Sequence, residues 1–438
     1  MKTSSLAGHA VELISLILKS KLPADKVIAD YYKLHRYLGS HDRRWISEKV
    51  FSIIRNMILL MHLSQKCTDF NRSLALFLSH EIAVSGFNFT EIEHDYDDLI
   101  SAYRTTASKI DLPAVEKCIN DAMVQILAEP KKYQNLIYSF MEGFQFLLPE
   151  HIQNEAENLM FSLNTQAPMV LRINNPSESV LKVIEFLKAA GIESEPAPYS
   201  PIGIIIRKRT NLSNLELFKN GGIEVQDEAS QIVGMLLFPL DGEIVVDACA
   251  GGGGKSLEAA AFSNGKGEIY SLDIDTNRLE NMQKRIKRGK FTNINTILVK
   301  PDSYAGIEHL INNADKVLVD APCTGSGTIR RNPDKKFKIS VKDVEQASIR
   351  QFEILKHYSE LVKRGGTLFY ATCSIFDKEN ADVVSKFLAS NRSFEPVSIK
   401  EFLKIERIDE LIHDDFLEIY PHRHAMDGFF AAAMRRVR

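Results

Sequence analysis

The sequence predicts a chain of three parts: an N-terminal all-α domain over residues 1–150, a small α/β linking domain over residues 151–240, and a C-terminal α/β domain over residues 241–438. Three observations favour this division. Apolar residues recur at helical spacing in the first part, a strand–helix–strand pattern follows, and strands alternate with helices in the last part. A chain of 438 residues also exceeds one ordinary hydrophobic core, so two or three domains are expected.

The first 150 residues carry the pattern of amphipathic helices. Apolar side chains fall on one helical face around positions 13–17 and again around positions 50–58. Pro23 is expected to open one helix, and Gly39 with Ser40 is expected to close the next. Alternating β-branched runs are scarce here, which favours an all-α domain.

The linking region changes character after Pro168. An apolar run from Met169 to Ile173 predicts a strand, and a helix is expected to start at Pro176 and to stop at Gly191. A second strand is expected over Ile202 to Arg207. This order indicates a small α/β module.

The C-terminal region shows regular alternation of apolar strands and helices, including a long helix expected over residues 343–363. Two further strands near the end are joined by a short loop, which predicts an antiparallel pair at one end of a mostly parallel sheet. The expected strands are Glu243–Ala248, Glu268–Asp273, Ile294–Val299, Lys316–Asp320, Thr367–Thr372, Phe416–Tyr420 and Gly428–Met434.

Composition excludes several classes of protein. The net charge of −3 does not mark the whole molecule as a nucleic-acid binder, so any positive charge for RNA must be local. No apolar run is long enough to cross a membrane, and no signal peptide is recognised. The five cysteines are an odd number in a large chain, which favours a reducing, cytoplasmic location over a disulfide framework.

A glycine-rich loop follows the first strand of the C-terminal domain, over residues 247–256. Glycines between a strand and a helix let backbone N–H groups approach a ligand. A phosphate-binding P-loop requires glycine where this chain has Cys249, so the nucleotidase interpretation fails at its first position. A nucleoside-binding fold needs an acidic residue at the end of the next strand, and Asp273 fills that place; Asp302 follows the third strand. These residues alone do not separate a nicotinamide cofactor from S-adenosylmethionine.

Two cysteines follow successive strands, Cys323 after the fourth and Cys373 after the fifth. Ligands of open α/β sheets bind at these strand ends. A thiolate that adds to carbon 6 of cytosine makes carbon 5 nucleophilic, so that it can accept a methyl group from a sulfonium. Such a thiolate needs nearby positive charge, which Lys255 is placed to supply. One such cysteine alone is more often a core residue; two beside a cofactor loop favour catalysis.

Four motifs then occur in order: Asp-Ala-Cys-Ala with Gly-Gly-Lys at 247–255, Asp-Ala-Pro-Cys-Thr-Gly-Ser-Gly at 320–327, Tyr-Ala-Thr-Cys-Ser at 370–374, and Asp-Gly-Phe-Phe at 427–430. Together they resemble the Sun/RsmB family of RNA cytosine-5 methyltransferases. Residues 222–230 resemble the segment preceding the family's catalytic domain. Residues 41–45 with Arg55 resemble the NusB-like helical domain of its ribosomal members.

The resemblance implies a Rossmann-like class I methyltransferase domain and a role for each matching residue. Cys373 would be the nucleophile, and Cys323 would help to release the product. Asp320 would contact both cofactor and target base. The residues that would hold S-adenosylmethionine are Cys249, Ala250, Gly251, Gly252, Gly253, Gly254, Lys255, Asp273, Asp302 and Asp320.

One departure from the family concerns the loop. The family usually has Ala-Pro-Gly-Gly-Lys-Thr where this chain has four glycines, then Lys255 and Ser256. Loss of the proline raises the entropy of the unbound loop by up to ~1 kcal/mol. Either weaker cofactor binding or a less ordered loop follows from this.

The chain is expected to be a monomer with RNA as its partner. The basic residues after the first cysteine motif are expected to contact RNA phosphates: Arg330, Arg331, Lys335 and Lys336. The NusB-like domain favours small-subunit (16S) ribosomal RNA; transfer RNA, or a role as a catalytically weak ribosome assembly factor, are the alternatives. His413, His422 and His424 fit no zinc spacing, so no metal is expected.

Overall fold

The computed structural model describes residues 1–67, 71–104, 110–263 and 265–438, and its architecture confirms the predicted fold class. The chain forms two compact units. The helical unit comprises residues 1–146, 152–164 and 329–340, and the α/β unit comprises residues 147–151, 165–328 and 341–438. Residues of the predicted linking domain from Thr165 onwards thus share one unit with the predicted C-terminal domain. No helix in the described ranges combines the length and apolarity needed to span a bilayer.

The helices alternate with strands only after the first 164 residues. Their bounds are α1 Thr3–Lys19, α2 Ala24–Leu34, α3 Ser40–Arg55, α4 Met57–Cys67, α5 Arg72–Ala83, α6 Phe89–Arg104, α7 Leu112–Ala128, α8 Gln134–Ile137, α9 Glu150–Gln153, α10 Ala156–Asn164, α11 Val180–Ala189, α12 Glu216–Lys219, α13 Glu228–Gly234, α14 Gly254–Phe262, α15 Thr276–Gly289, α16 Lys335–Lys338, α17 Val341–Ser359, α18 Ala381–Ser390 and α19 Pro421–His424.

The strands form two sheets. Their bounds are β1 Met169–Ile173, β2 Ser194–Pro196, β3 Gly203–Ile206, β4 Ile223–Val225, β5 Ile244–Asp247, β6 Glu268–Asp273, β7 Ile294–Leu298, β8 Ala314–Asp320, β9 Val362–Thr372, β10 Phe394–Val397, β11 Ile412–His413, β12 Phe416–Ile419 and β13 Phe429–Arg436.

The helical unit packs around one apolar core built from the buried faces of α1 to α7. Helix α2 begins after Pro23, as predicted. Gly39 and Ser40 do not close a helix, which corrects the prediction: α2 already ends at Leu34, and Ser40 begins α3. The Asp42 carboxylate accepts a hydrogen bond from the Gly39 amide at 3.1 Å, so these residues form a helix start.

The four-stranded module, defined here as β1–β4 with α11, contains an antiparallel sheet in the order β2-β3-β1-β4. Helix α11 begins at Val180, four residues later than predicted, because the Ser179 hydroxyl caps it by accepting from the Lys182 amide at 3.2 Å. Strands β2 and β4 are short and were not predicted.

The large sheet runs in the order β11-β12-β13-β9-β8-β5-β6-β7, and β10 also pairs with β13. Strands β5 to β9 pair in parallel with one another. Strands β10 to β13 pair antiparallel, which confirms the antiparallel pair predicted at one end of the sheet. Strand β5 lies between β6 and β8, so the order of the parallel strands reverses there. In such doubly wound, Rossmann-like sheets the ligand crevice lies beyond the carboxyl ends at this reversal.

Candidate active site

A cavity of 960 Å³ lies at the carboxyl ends of the parallel strands. It is lined by the loop after β5, by the ends of β6 and β8, and by one face of α17. Nearly all residues predicted to hold the cofactor line it: Cys249, Ala250, Gly251, Gly252, Gly254, Lys255, Asp273, Asp302 and Asp320, together with Cys323. Residues from separate motifs therefore share one crevice.

The glycine loop, residues 249–254, turns sharply between β5 and α14. Gly251 and Gly253 have φ angles of 56° and 80°, which only glycine adopts readily. A Cβ at Gly253 would lie 2.5 Å from Cγ of Met282, so no side chain fits there. A Cβ at Gly251 would meet no atom within 4 Å, and this open position lines the cavity. The loop thus presents bare backbone to the crevice.

Asp273 ends β6 and is 5% exposed. Its carboxylate accepts hydrogen bonds from the Gly251 amide at 2.8 Å and from the Asp275 amide at 2.8 Å. The acidic residue expected from the sequence is therefore tied to the glycine loop. Asp302 lines the same cavity with a φ of 55°.

Lys255 joins the glycine loop to the first cysteine motif. Its ammonium lies 2.5 Å from a carboxylate oxygen of Asp320 and 5.4 Å from the ring centre of Phe429. Burial lowers the pKa of Lys255, but the charge of Asp320 outweighs this effect and holds the pKa above its ordinary value. Lys255 also interacts electrostatically with Cys373, so positive charge faces the second cysteine.

The two cysteine thiols are neighbours. Cys323 follows β8 and Cys373 follows β9, and these strands pair in parallel with Asp320 opposite Ala371. Their Sγ atoms lie 3.3 Å apart, and both side chains are half-buried. Cys249 differs, because burial raises its pKa well above the ordinary value. The Lys255 charge near Cys373 is a surrounding of the kind that activates a thiol.

A buried carboxylate that sequence reasoning missed ties the cysteine motifs together. Glu379 is fully buried, and it accepts hydrogen bonds from the Thr324 amide at 2.8 Å and from the Ser374 hydroxyl at 2.6 Å. Gln351 on α17 donates to the same carboxylate at 3.0 Å and to the Pro322 carbonyl at 3.1 Å. A residue next to each cysteine is therefore held by the same Glu379 carboxylate.

Two glycines of the motifs meet in space. The Gly428 amide donates to the Gly327 carbonyl at 2.9 Å, and the Gly327 amide donates to the Cys373 carbonyl at 3.0 Å. A Cβ at Gly327 would lie 2.1 Å from the Gly428 carbonyl oxygen. This close approach explains why glycine stands in both motifs.

Helix α17 supplies cavity residues to which sequence reasoning assigned no function. Those on its cavity face are Arg350, Glu353, Ile354, His357 and Tyr358. Their spacing of three, four and seven residues is that of one helical face, so a helical-wheel comparison with the neighbouring loop would have found them.

The basic residues predicted to contact RNA belong to the helical unit and differ in exposure. Arg331 and Lys335 are half-buried, whereas Arg330 is 7% and Lys336 is 3% exposed. Lys336 donates to the carbonyls of Arg55 and Tyr138 and to the side chain of Asn164. Its ammonium is thus used inside the fold and is not presented to phosphate.

The three histidines considered for a metal are not brought together. The His413 ring stacks on the His151 ring, 3.7 Å away and 9° from parallel, beside Glu418. His424 instead accepts from the Tyr420 amide at 2.9 Å. His151, His413 and Glu418 nevertheless place ligand-type atoms within 4.8 Å of one another, so the expectation of no metal stays a prediction.

Two family models match the chain. Residues 234–435 match a family described as 16S rRNA methyltransferase RsmB/F. Residues 147–213 match a ferredoxin-like domain described as Methyltr_RsmF/B-like. The first match contains the glycine loop and both cysteines.

Similar proteins cover from 64% to 100% of the chain. The "Probable ribosomal RNA small subunit methyltransferase B" of Bacillus subtilis is 26% identical and covers 100% of both chains. The "Ribosomal RNA small subunit methyltransferase B" of Photorhabdus laumondii is 34% identical over 64% of this chain and 62% of its own.

Solved structures show the same architecture. The crystal structure of PH0851 is similar with a TM-score of 0.77 and 26% identity, over 100% of this chain and 99% of that one. A methyltransferase homologue from Pyrococcus horikoshii gives a TM-score of 0.58 and 26% identity, over 69% and 97% of the two chains. With the motifs and the cavity on one sheet, and with similarity from end to end, residues 234–435 form a methyltransferase domain of the RsmB/F family.

Proposed function

We propose that the protein transfers a methyl group from S-adenosylmethionine to carbon 5 of a cytosine in small-subunit ribosomal RNA, through a covalent cysteine adduct. The observation that carries this proposal is the pair of thiols 3.3 Å apart beside the cavity, with the Lys255 charge near Cys373. The names of the family and of its relatives support the choice of ribosomal RNA.

The residues present fit the proposed cofactor. The open Cβ position at Gly251 leaves room for a ligand against the backbone, and the Asp273 carboxylate is of the type that accepts ribose hydroxyls. The cavity of 960 Å³ is large enough for a nucleoside with an amino-acid arm. When bound, S-adenosylmethionine supplies a methyl group on a sulfonium.

The cysteines divide the chemistry between them. The Cys373 thiolate adds to carbon 6 of the cytosine, which makes carbon 5 nucleophilic for the methyl group. After methylation a base removes the carbon 5 proton, and the electrons of that bond expel the Cys373 thiolate. Cys323, whose sulfur is in contact distance, assists this elimination. The ammonium of Lys255 favours the thiolate form of Cys373.

The proposal is tested by trapping the adduct. We expect Cys323→Ala protein, incubated with unmethylated 16S ribosomal RNA and S-adenosylmethionine, to give a protein–RNA band on a denaturing gel. Cys373→Ala is the matched control and should give none, because it lacks the nucleophile. A band with Cys373→Ala alone would reverse the two roles. No band with either variant, together with no methylation by the wild type, would reject the proposal.

The substrate is tested separately. Bisulfite sequencing of total RNA from a strain that lacks the gene should show one cytosine of small-subunit ribosomal RNA losing protection. Lost protection in transfer RNA instead would overturn the ribosomal assignment and leave the chemistry intact.

A further inference from the structure

The four-stranded module reaches the glycine loop through a buried arginine. Arg172 on β1 is fully buried, and its guanidinium donates to the Gly254 carbonyl at 2.7 Å. The same group lies 3.2 Å from the Glu258 carboxylate on α14. Asn174 holds the other side of the guanidinium at 2.7 and 2.9 Å. The Arg172 side chain is thus fixed in a single direction, towards the end of the loop.

A second contact approaches the loop from β4. Glu224 is 7% exposed at its side chain and pairs with Arg285 on α15 at 3.2 Å, and with Arg288. Arg285 also donates to the Gly252 carbonyl. The carboxylate of the module therefore orients the arginine that holds the loop.

The Arg172 and Arg285 contacts hold the loop on either side of Gly253. The carbonyls of Gly252 and Gly254 both accept hydrogen bonds from arginines that the module supplies or orients. A peptide group is planar, so fixing a carbonyl also fixes the N–H of the following residue. Four successive glycines have high conformational entropy when unheld, and this loop lacks the proline usual in the family.

We propose that the four-stranded module sets the affinity for S-adenosylmethionine by clamping the glycine loop, with Arg172, Glu224 and Arg285 as positioning residues. The inference rests on the proposed function, since it assigns the loop to that cofactor. It places part of the control of cofactor binding in strands that do not line the cavity. The clamp also compensates for the missing proline by ordering the loop from outside.

The clamp is tested in the full-length protein with Arg285→Ala and Glu224→Gln, with Arg172→Lys as a buried variant. Glu195→Gln is the matched control, because Glu195 lies on β2 of the same module and pairs with Arg207 at the surface. The first measurement is hydrogen exchange of amides 249–256 without cofactor. We expect exchange about tenfold faster in the three clamp variants, as for the loss of one charge-assisted hydrogen bond, and unchanged in the control.

The second measurement is calorimetric binding of S-adenosylmethionine. We expect the Kd to rise about tenfold in the clamp variants. The KM for the cofactor should rise likewise while kcat at saturation stays near that of the wild type. A merely structural role would instead lower kcat and the melting temperature together.

The outcomes separate the two proposals. Wild-type protein that binds no S-adenosylmethionine rejects the proposed function, and the exchange experiment still decides whether the clamp exists. If the exchange rate and the Kd of both Arg285→Ala and Glu224→Gln match those of the control, the proposed clamp is wrong. Arg172→Lys alone is not decisive, because loss of a buried guanidinium can unfold the module.

Discussion

The carboxylates of Asp320 and Asp247 lie at the ends of neighbouring strands beside the cavity. The first forms an ion pair, whereas the second is almost fully buried. Asp320 pairs with the Lys255 ammonium at 2.5 Å. Asp247 is 1% exposed; one oxygen accepts from the Ser256 hydroxyl at 2.6 Å, and the other is buried without a hydrogen-bond partner. Burial raises the pKa of Asp247 to about 6. Asp247 therefore holds Ser256, just after the loop, in place, whereas Asp320 forms an ion pair beside the cavity.

The raised pKa of Asp247 predicts a pH dependence of stability. Between pH 4 and 6 the folded protein retains a proton that the unfolded chain releases, so the free energy of unfolding contributed by Asp247 falls as pH rises. At about 1.4 kcal/mol per pKa unit, the loss is about 3 kcal/mol. Asp247→Asn should remove this dependence in urea unfolding measured at pH 4 and pH 7. Exposed Asp241→Asn is the control, and equal behaviour of both variants would contradict the prediction.

Individual residues also account for what the sequence did not show. Glu379 is bonded to groups 28 and 55 positions away in the chain, and no local pattern marks such a residue. Lys336 lies in a run of basic residues that resembles an RNA-binding patch, yet its ammonium is inside the fold. Local sequence patterns do not show that such a side chain is buried, because the residues that cover it are distant in the chain.

At the scale of elements, the Glu379 carboxylate links β8, β9 and α17. It accepts hydrogen bonds from Thr324 after β8, from Ser374 after β9 and from Gln351 on α17. We expect Glu379→Gln to slow adduct formation about tenfold or more, because its amide group cannot accept all of these bonds. The rate is measured in a single turnover with Cys323→Ala in the background. The Kd for S-adenosylmethionine should not change.

Glu345→Gln is the matched control, since Glu345 pairs with Lys378 at the surface of the same region. An adduct rate of Glu379→Gln equal to that of this control would show that the network does not position the cysteines.

Most strands of the large sheet were predicted because each is a short apolar run ended by polar or glycine residues. β6 has the predicted bounds, and β5, β7, β8 and β12 differ by one or two residues at an end. The predicted long helix extended to residue 363, but α17 ends at Ser359 and β9 begins at Val362. Leu361 and Val362 fit the helical period and the strand equally well, and pairing with Ala314 on β8 decides for the strand.

At the scale of the whole molecule, the helical unit is not continuous in sequence. Residues 329–340 belong to it, and within it Asp334 accepts from the Ala24 amide that begins α2. The Lys336 ammonium lies 4.5 Å from the Phe140 ring centre and 3.0 Å from the Tyr138 carbonyl. Burial lowers the pKa of Lys336 well below its ordinary value. This inserted segment is therefore part of the unit's interior.

We expect Lys336→Ala to destabilise the helical unit by about 3 kcal/mol, because two carbonyls and the Asn164 side chain lose their donor and the buried side chain leaves a cavity. The measurement is urea unfolding followed by circular dichroism at 222 nm. Lys335→Ala is the adjacent control and should change stability little. If Lys336→Ala instead lowers RNA affinity and leaves stability unchanged, the phosphate-contact role predicted from the sequence holds.

The inserted segment has a consequence for synthesis of the protein on the ribosome. A domain of continuous sequence folds as soon as it emerges, but the contact between Lys336 and the Arg55 carbonyl spans 281 positions. The first helices can pack their own core before that contact forms, whereas the Arg55 and Tyr138 carbonyls meet the Lys336 ammonium only after residue 340 has been added. Closure of so long a loop then slows the final step in the folding of the helical unit.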